Sequence, residues 1–226
     1  WYQTSFFFAT GCKLEYTTDE SGAFVGSDVT YASKEGVAAF KAMISLAKSP
    51  SFQNGSSVDK ATNLAAIVDG AWDADAAKAV FGDNYACAKL PSFTVDGQSY
   101  QMSGFGGFKL IGVKPQTEQG KQLVCLALAE YLSNEETQLA RFNEVAWGPS
   151  NLVAQQSDAV KSDAALSALA EQLAYTIPQG QYPGDYWTDA TSLGDDVIAD
   201  KYDNMSDDDL MKVLEDFQAR QQSYAQ

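Results

Sequence analysis

The stretch LAAIVDGAWDADAAKAVFG, residues 64–82, changes character in its middle. Leu64 to Val68 is an apolar run of strand length. Asp69-Gly70 then breaks it, as such pairs do at turns. From Trp72 an alanine-rich segment with helical spacing runs on until Gly82 closes it. A strand passed to a helix through a tight joint is the repeating unit of an α/β protein. The joint carries an oddity: Trp72, the largest side chain available, stands on the turn and not inside either element.

The same alternation extends outward from this joint. The first eleven residues, WYQTSFFFATG, predict a short helix with an aromatic face, ending at Gly11. KLEYTT (13–18) predicts a strand. Ser33 is placed to cap a helix whose apolar positions Val37, Phe40, Met43, Ile44 and Ala47 recur at helical spacing, with Pro50 just beyond its end. NYACAKLPSF (84–93) predicts a strand ended by Pro91, and Asp96-Gly97 marks a turn. A helix is expected over 117–132, and Ser133 with Glu136 forms a capping box for the next. Helices are expected over 159–175, 185–200 and 207–222. Ser206 followed by Asp207, Asp208 and Asp209 suits a helix start, where carboxylates meet the positive end of the macrodipole. A calcium loop is disfavoured there, because its central glycine and closing glutamate are missing. The fold class is therefore α/β, with an all-helical tail expected to return against earlier layers.

Composition narrows the function. The chain has 226 residues, 45% of them hydrophobic, enough for a core. Its net charge of −15 repels phosphate backbones, so nucleic acid is not an expected partner. With no histidine, catalysis by Ser-His or Cys-His pairs is excluded, as is the commonest zinc ligand. The three cysteines, Cys12, Cys87 and Cys125, form no CxxC, and no metal or cofactor is expected. Cys125 lies in the apolar helix KQLVCLALAEYL and reads as a buried small hydrophobe. A bond between Cys12 and Cys87 stays open. The glycine-rich SGFGGFKLIGVKP (103–115) lacks the Lys-Ser/Thr of a phosphate loop and reads as backbone bending or crossing. No stretch reaches the length of a membrane span. The first residue is Trp1, and targeting information is expected upstream of it.

Trp1, Trp72, Trp147 and Trp187 all sit at breaks in the pattern. A tryptophan at a strand-to-helix joint stands at the rim where α/β sheets open their ligand crevice. Tyr2, Tyr182 and Tyr186 flank two of them. Aromatic faces with nearby carboxylates suit carbohydrate, because the rings cover the apolar faces of a sugar and the polar groups take its hydroxyls. Plain packing is the competing reading for each ring. Asp69, Asp73, Asp185 and Asp189 lie beside the tryptophans. Glycoside hydrolysis by paired carboxylates is the enzymatic alternative, yet nothing local argues for a carboxyl with a raised pKa.

Five segments, in order along the chain, resemble the extracellular solute-binding proteins of ABC transporters, in the maltose/maltodextrin-binding branch. TNLAAIVDGAW (62–72) is similar to that family's G-x-x-A-M-x-x-x-G-P-W segment. NYACAKLPSF resembles its strand ending in Leu-Pro, SGFGGFKLIGV (103–113) its glycine-bearing crossing, AEYLSNEETQ (129–138) its helix pair, and IPQGQYPGDYW (177–187) its late aromatic loop. The resemblance implies a type II periplasmic-binding-protein-like fold, incomplete: a second lobe with a returning segment of the first. It places second-lobe structure in 1–103, the returning segment in 104–146 and second-lobe helices in 147–226. It puts sugar-stacking roles on Trp72, Trp187 and Trp1, with Tyr186, Tyr2 and Asp185 beside them. Ala71 stands where the family has proline. The implied function is non-enzymatic: binding a maltodextrin-like oligosaccharide by closure of two lobes for an ABC importer. Another oligosaccharide is the alternative ligand. The implied partners are the permease subunits and a missing N-terminal lobe or second chain. The implied location is the cell surface, by a lipid anchor upstream, or the periplasm.

Overall fold

A computed structural model describes residues 2–55, 57–60 and 63–225, with the backbone alone at residue 60. The chain divides into two compact units. Unit 1 comprises Trp1–Asn54, Leu90–Gly106 and Tyr175–Gln226; unit 2 comprises Gly55–Lys89 and Gly107–Ala174.

Unit 1 holds the hydrophobic core. Helix α1 (Thr4–Ala9) inserts Phe6, Phe7 and Phe8, all three buried. The chain then makes an antiparallel hairpin of β1 (Leu14–Thr18) and β2 (Phe24–Val29), registered Leu14 to Val29 with an irregularity between Thr17 and Thr18. Asp19 fixes its turn, one carboxylate oxygen accepting from the amides of Ser21 (2.8 Å) and Ala23 (3.0 Å). Helix α2 (Lys34–Ala47) starts where expected, with the Ser33 hydroxyl accepting from the Gly36 amide. Gly36 is sterically required: a Cβ there would stand 1.8 Å from the Tyr31 carbonyl oxygen.

β3 (Ser92–Val95) and β4 (Gln98–Gln101) form a second hairpin. Its two loop residues, Asp96 and Gly97, both have positive φ, the signature of a type I′ turn. The short strands β5 (Gly104–Gly106) and β6 (Thr176–Pro178) pair in parallel. Helix α8 (Gly184–Ile198) turns Tyr186, Ala190, Leu193 and Val197 inward, and helix α9 (Asp207–Ser223) turns in Leu210, Leu214, Phe217 and Gln221. Both sets follow one helical stripe. Tyr31 lies between Phe7 (centroids 4.0 Å apart) and Phe217 (5.5 Å), stacked on both. Ser206 caps α9 through the Asp209 amide, as its sequence suggested.

Unit 2 is helical among its described residues: α3 (Ala74–Phe81), α4 (Gln119–Ser133), α5 (Glu135–Val145), α6 (Asp158–Lys161) and α7 (Ala164–Gln172), joined by turns. Its buried hydrophobic side chains are few: Val58, Ala154, Val160 and Ala168. The buried amide of Gln138 organises one corner. Its oxygen accepts from the amides of Ser150 (2.7 Å) and Asn151 (3.0 Å), and its NH2 donates to the Ser133 carbonyl (2.5 Å). A buried amide needs this satisfaction.

Several expectations change. Residues 64–68 form no strand; the apolar run is irregular. A strand needs a neighbour for its amides and carbonyls, and among the described residues unit 2 supplies none. The strand expected to end at Pro91 does not form: residues 85–90 are irregular, and β3 begins beyond the proline, at Ser92. The helix after α4 is capped by Asn134, not Ser133: its side chain accepts from the Thr137 amide, while the Ser133 hydroxyl turns back to the Ala129 carbonyl. The helix expected over 159–175 is split at Asp163, whose carboxylate caps α7 through the Leu166 amide. Cys125 is only half-buried. All three cysteines are free, with Cys12 buried and Cys87 exposed.

Candidate functional site

The late loop delivers an aromatic cluster in unit 1. Trp187 lies in the first turn of α8, half-buried. Its ring meets Tyr186 edge-on at 4.8 Å and Tyr182 at 5.8 Å. Tyr182 is the hub: it also touches Tyr186 (5.2 Å), Phe105 (5.4 Å) and Tyr16 (5.5 Å). Its hydroxyl donates to the Leu14 carbonyl at 2.9 Å, fixing the loop to β1. Burial pushes the Tyr182 hydroxyl up to about 12, so it remains a neutral donor. Tyr186 is 1% exposed and forms the inner wall of the cluster, its hydroxyl without a partner among the described residues. Asp185 is exposed in the same first turn.

A polar chain braces the cluster from behind. The Tyr16 hydroxyl donates to the Gln221 side-chain oxygen (2.9 Å), and the Gln221 NH2 donates to Asp189 (2.6 Å). Asp189 also accepts from the Tyr224 hydroxyl (2.9 Å) and pairs with Arg220 (3.4 Å). Gln221 is fully buried, so its two partners satisfy a group that would otherwise destabilise the core. Tyr16 and Gln221 escaped the reading of the sequence. The only signal for Tyr16 was its place in a strand, and none linked it to a residue 205 positions away.

Trp72 stands in unit 2, in a single helical turn, Ala71–Asp73, that leads into α3. It is 66% exposed. Its indole folds back over Gly70: a Cβ on Gly70 would lie 2.3 Å from two atoms of the six-membered ring. Gly70 has φ −93° and ψ 162°, ordinary extended backbone, so a glycine here serves the ring and not the turn. Its amide donates to the Asp69 carboxylate at 2.7 Å. The Asp73 carboxyl is held above its usual range by partial desolvation and by the charge and hydrogen bond of Asp69, while a hydrogen bond from the Trp72 indole pulls it back down. On another face of α3, Ala71, Ala74, Asp75 and Lys78 line a cavity of about 170 Å³ with Tyr85 and the start of α7; Trp72 is not part of its wall.

The structure thus brings Tyr182, Tyr186, Trp187 and Asp185 into one neighbourhood, and sets Trp72 in the other unit between Asp69 and Asp73. Tyr2 is 45% exposed in unit 1, next to Gln3, whose side chain donates to the Ala190 carbonyl of α8 (2.7 Å). Trp1 lies outside the described residues. Among the described residues no group of three or more potential ligands is arranged for a metal, and no helix is long and apolar enough to cross a membrane.

A sequence profile of the bacterial extracellular solute-binding proteins matches residues 1–168, about three-quarters of the chain. The chain belongs to that family. No curated protein matches it. Among solved structures, this solute-binding protein is similar to a maltodextrin-binding protein of L. casei without ligand, at TM-score 0.77 and 22% identity over 95% of this chain and 58% of that one. A structure solved with acarbose aligns at TM-score 0.75 and 24% identity over 100% of this chain and 60% of that one. The maltose/maltodextrin-binding domain of Bdellovibrio bacteriovorus, bound to maltotriose, aligns at TM-score 0.60 and 16% identity over 97% and 57%. The fold is α/β, of the periplasmic-binding type expected from the resemblance. The chain spans 57–60% of the length of these structures.

Proposed function

We propose that this solute-binding protein takes up a maltodextrin-like oligosaccharide for an ABC importer, by binding and not by catalysis. The observation that carries the proposal is Trp72: a large ring, 66% exposed, between two carboxylates. A ring for the apolar face of a sugar and acceptors for its hydroxyls is the pairing carbohydrate recognition needs. Trp187, supported by Tyr182 and Tyr186, is the second stacking ring, with Asp185 and Tyr2 as further polar or aromatic contacts and Trp1 as a third ring. The solved relatives described with maltodextrin, maltotriose and acarbose support this ligand class.

In this proposal 1–103 and 147–226 belong to one lobe and 104–146 returns to the other. Closure of the two lobes on the sugar is the signal read by the permease subunits. The protein works outside the cytoplasm, at the cell surface on a lipid anchor or in the periplasm. The apolar exposed face of α4 is the surface that a first lobe, or a second chain, covers. Intrinsic tryptophan fluorescence titrated with maltotriose tests the reading. Saturable change is expected, and Trp72→Ala is expected to weaken binding about 10-fold or more with unfolding midpoints nearly unchanged. No change at tens of millimolar sugar, in a protein carrying both lobes, would falsify it.

A further inference from the structure

An exposed ring is a poor platform if it is free to turn. Ordering one rotamer-rich side chain on binding costs about 0.5–1.5 kcal/mol, which is roughly 2- to 12-fold in affinity. Trp72 has two-thirds of its surface in solvent. One neighbour restricts it. Gly70 leaves the space in which the six-membered ring rests, space that even a methyl group would fill. Asp69 completes the frame by fixing the Gly70 amide.

We infer that Gly70 is a positioning residue that lets the Trp72 ring keep one folded-back pose before any ligand arrives, and so sets how strongly that ring stacks on an oligosaccharide. The inference rests on the proposed sugar-binding role of Trp72, but the pose itself can be observed without sugar. The indole N–H of Trp72 gives its own ¹H–¹⁵N resonance, assigned by comparison with Trp72→Phe.

In the ligand-free chain, Gly70→Ala, which suits the extended backbone there, is expected to shift or broaden this resonance. Titration with maltotriose should then show binding about 2- to 10-fold weaker for Gly70→Ala. An unmoved resonance in Gly70→Ala overturns the pose. A moved resonance with unchanged affinity overturns its role in binding. If the resonance moves while the unaltered protein binds no maltotriose at any concentration, the pose stands and the sugar assignment of Trp72 is what fails.

Discussion

Helices α8 and α4 are both fifteen residues long, and they meet opposite surroundings. In α8 the apolar residues fall on one stripe, and Tyr186, Ala190, Leu193 and Val197 are buried there. In α4 the run QLVCLALAEYL is apolar on nearly every side, yet none of its residues is buried. Leu123, Val124, Leu126, Leu128 and Tyr131 are all exposed. Phe108, Leu110 and Ile111 before α4, and Leu152 and Val153 after α5, are exposed too. A helix that is apolar all round is ordinarily an interior helix. Composition thus states how much cover a helix demands, and its neighbours decide how much it receives. In unit 1 the elements supply one another's cover; in unit 2 much of that demand is unmet within the unit.

Substitutions can break this contrast. The largest effect is expected for Leu193→Ala on α8. Leu193 is 4% exposed in the core, and its truncation is expected to cost about 2–5 kcal/mol in denaturant unfolding. A cost under about 1 kcal/mol would show that α8 is not a core helix. A smaller effect is expected from alkali, and it too belongs to unit 1. Tyr182 has its pKa raised from 10.0 to about 12 by burial, so the unfolded chain ionises first. Stability from this hydroxyl is complete below pH 10 and is lost as the pH climbs through 12. Ultraviolet titration of Tyr182, by difference from Tyr182→Phe, should give a midpoint well above that of free tyrosine. The smallest effect is expected for Leu126→Lys on α4. At 49% exposure it should change the stability of this chain by no more than about 0.5 kcal/mol, while reducing any self-association seen by light scattering. A loss comparable to that of Leu193→Ala would mean that α4 is already covered.

Much of unit 1 was legible in the sequence, because its signals are local. Ser33 and Ser206 name their helix starts through hydroxyls that reach amides three residues on. Asp96-Gly97 names a turn because few pairs accept two positive φ values. The misreadings share a cause. Leu64–Val68 has the composition of a strand, but a strand depends on a partner, and the run of residues carries no information about one. Asn134 and Ser133 are both competent caps one residue apart, and the backbone of α4 decides between them by drawing the Ser133 hydroxyl to Ala129. At the candidate site the exposure of Trp72 followed from its place on a turn. The purpose of Gly70 did not, since a glycine beside an aspartate reads as a bend until the ring is seen lying on it.

The parallel pairing of β5 with β6 has a consequence for the order in which the molecule assembles. Gly104 pairs with Thr176, so the strands cannot meet until the intervening polypeptide has returned. Closing a flexible loop of roughly 70 residues costs on the order of 4 kcal/mol in chain entropy. The two hairpins and the helix starts need only neighbours in sequence and face no such delay. Tyr182, Tyr186 and Trp187 follow β6 directly. By this loop-closure argument the ring cluster is expected to form after the hairpin to which Tyr182 is tied, at a rate set by how quickly a long excursion of the chain comes home.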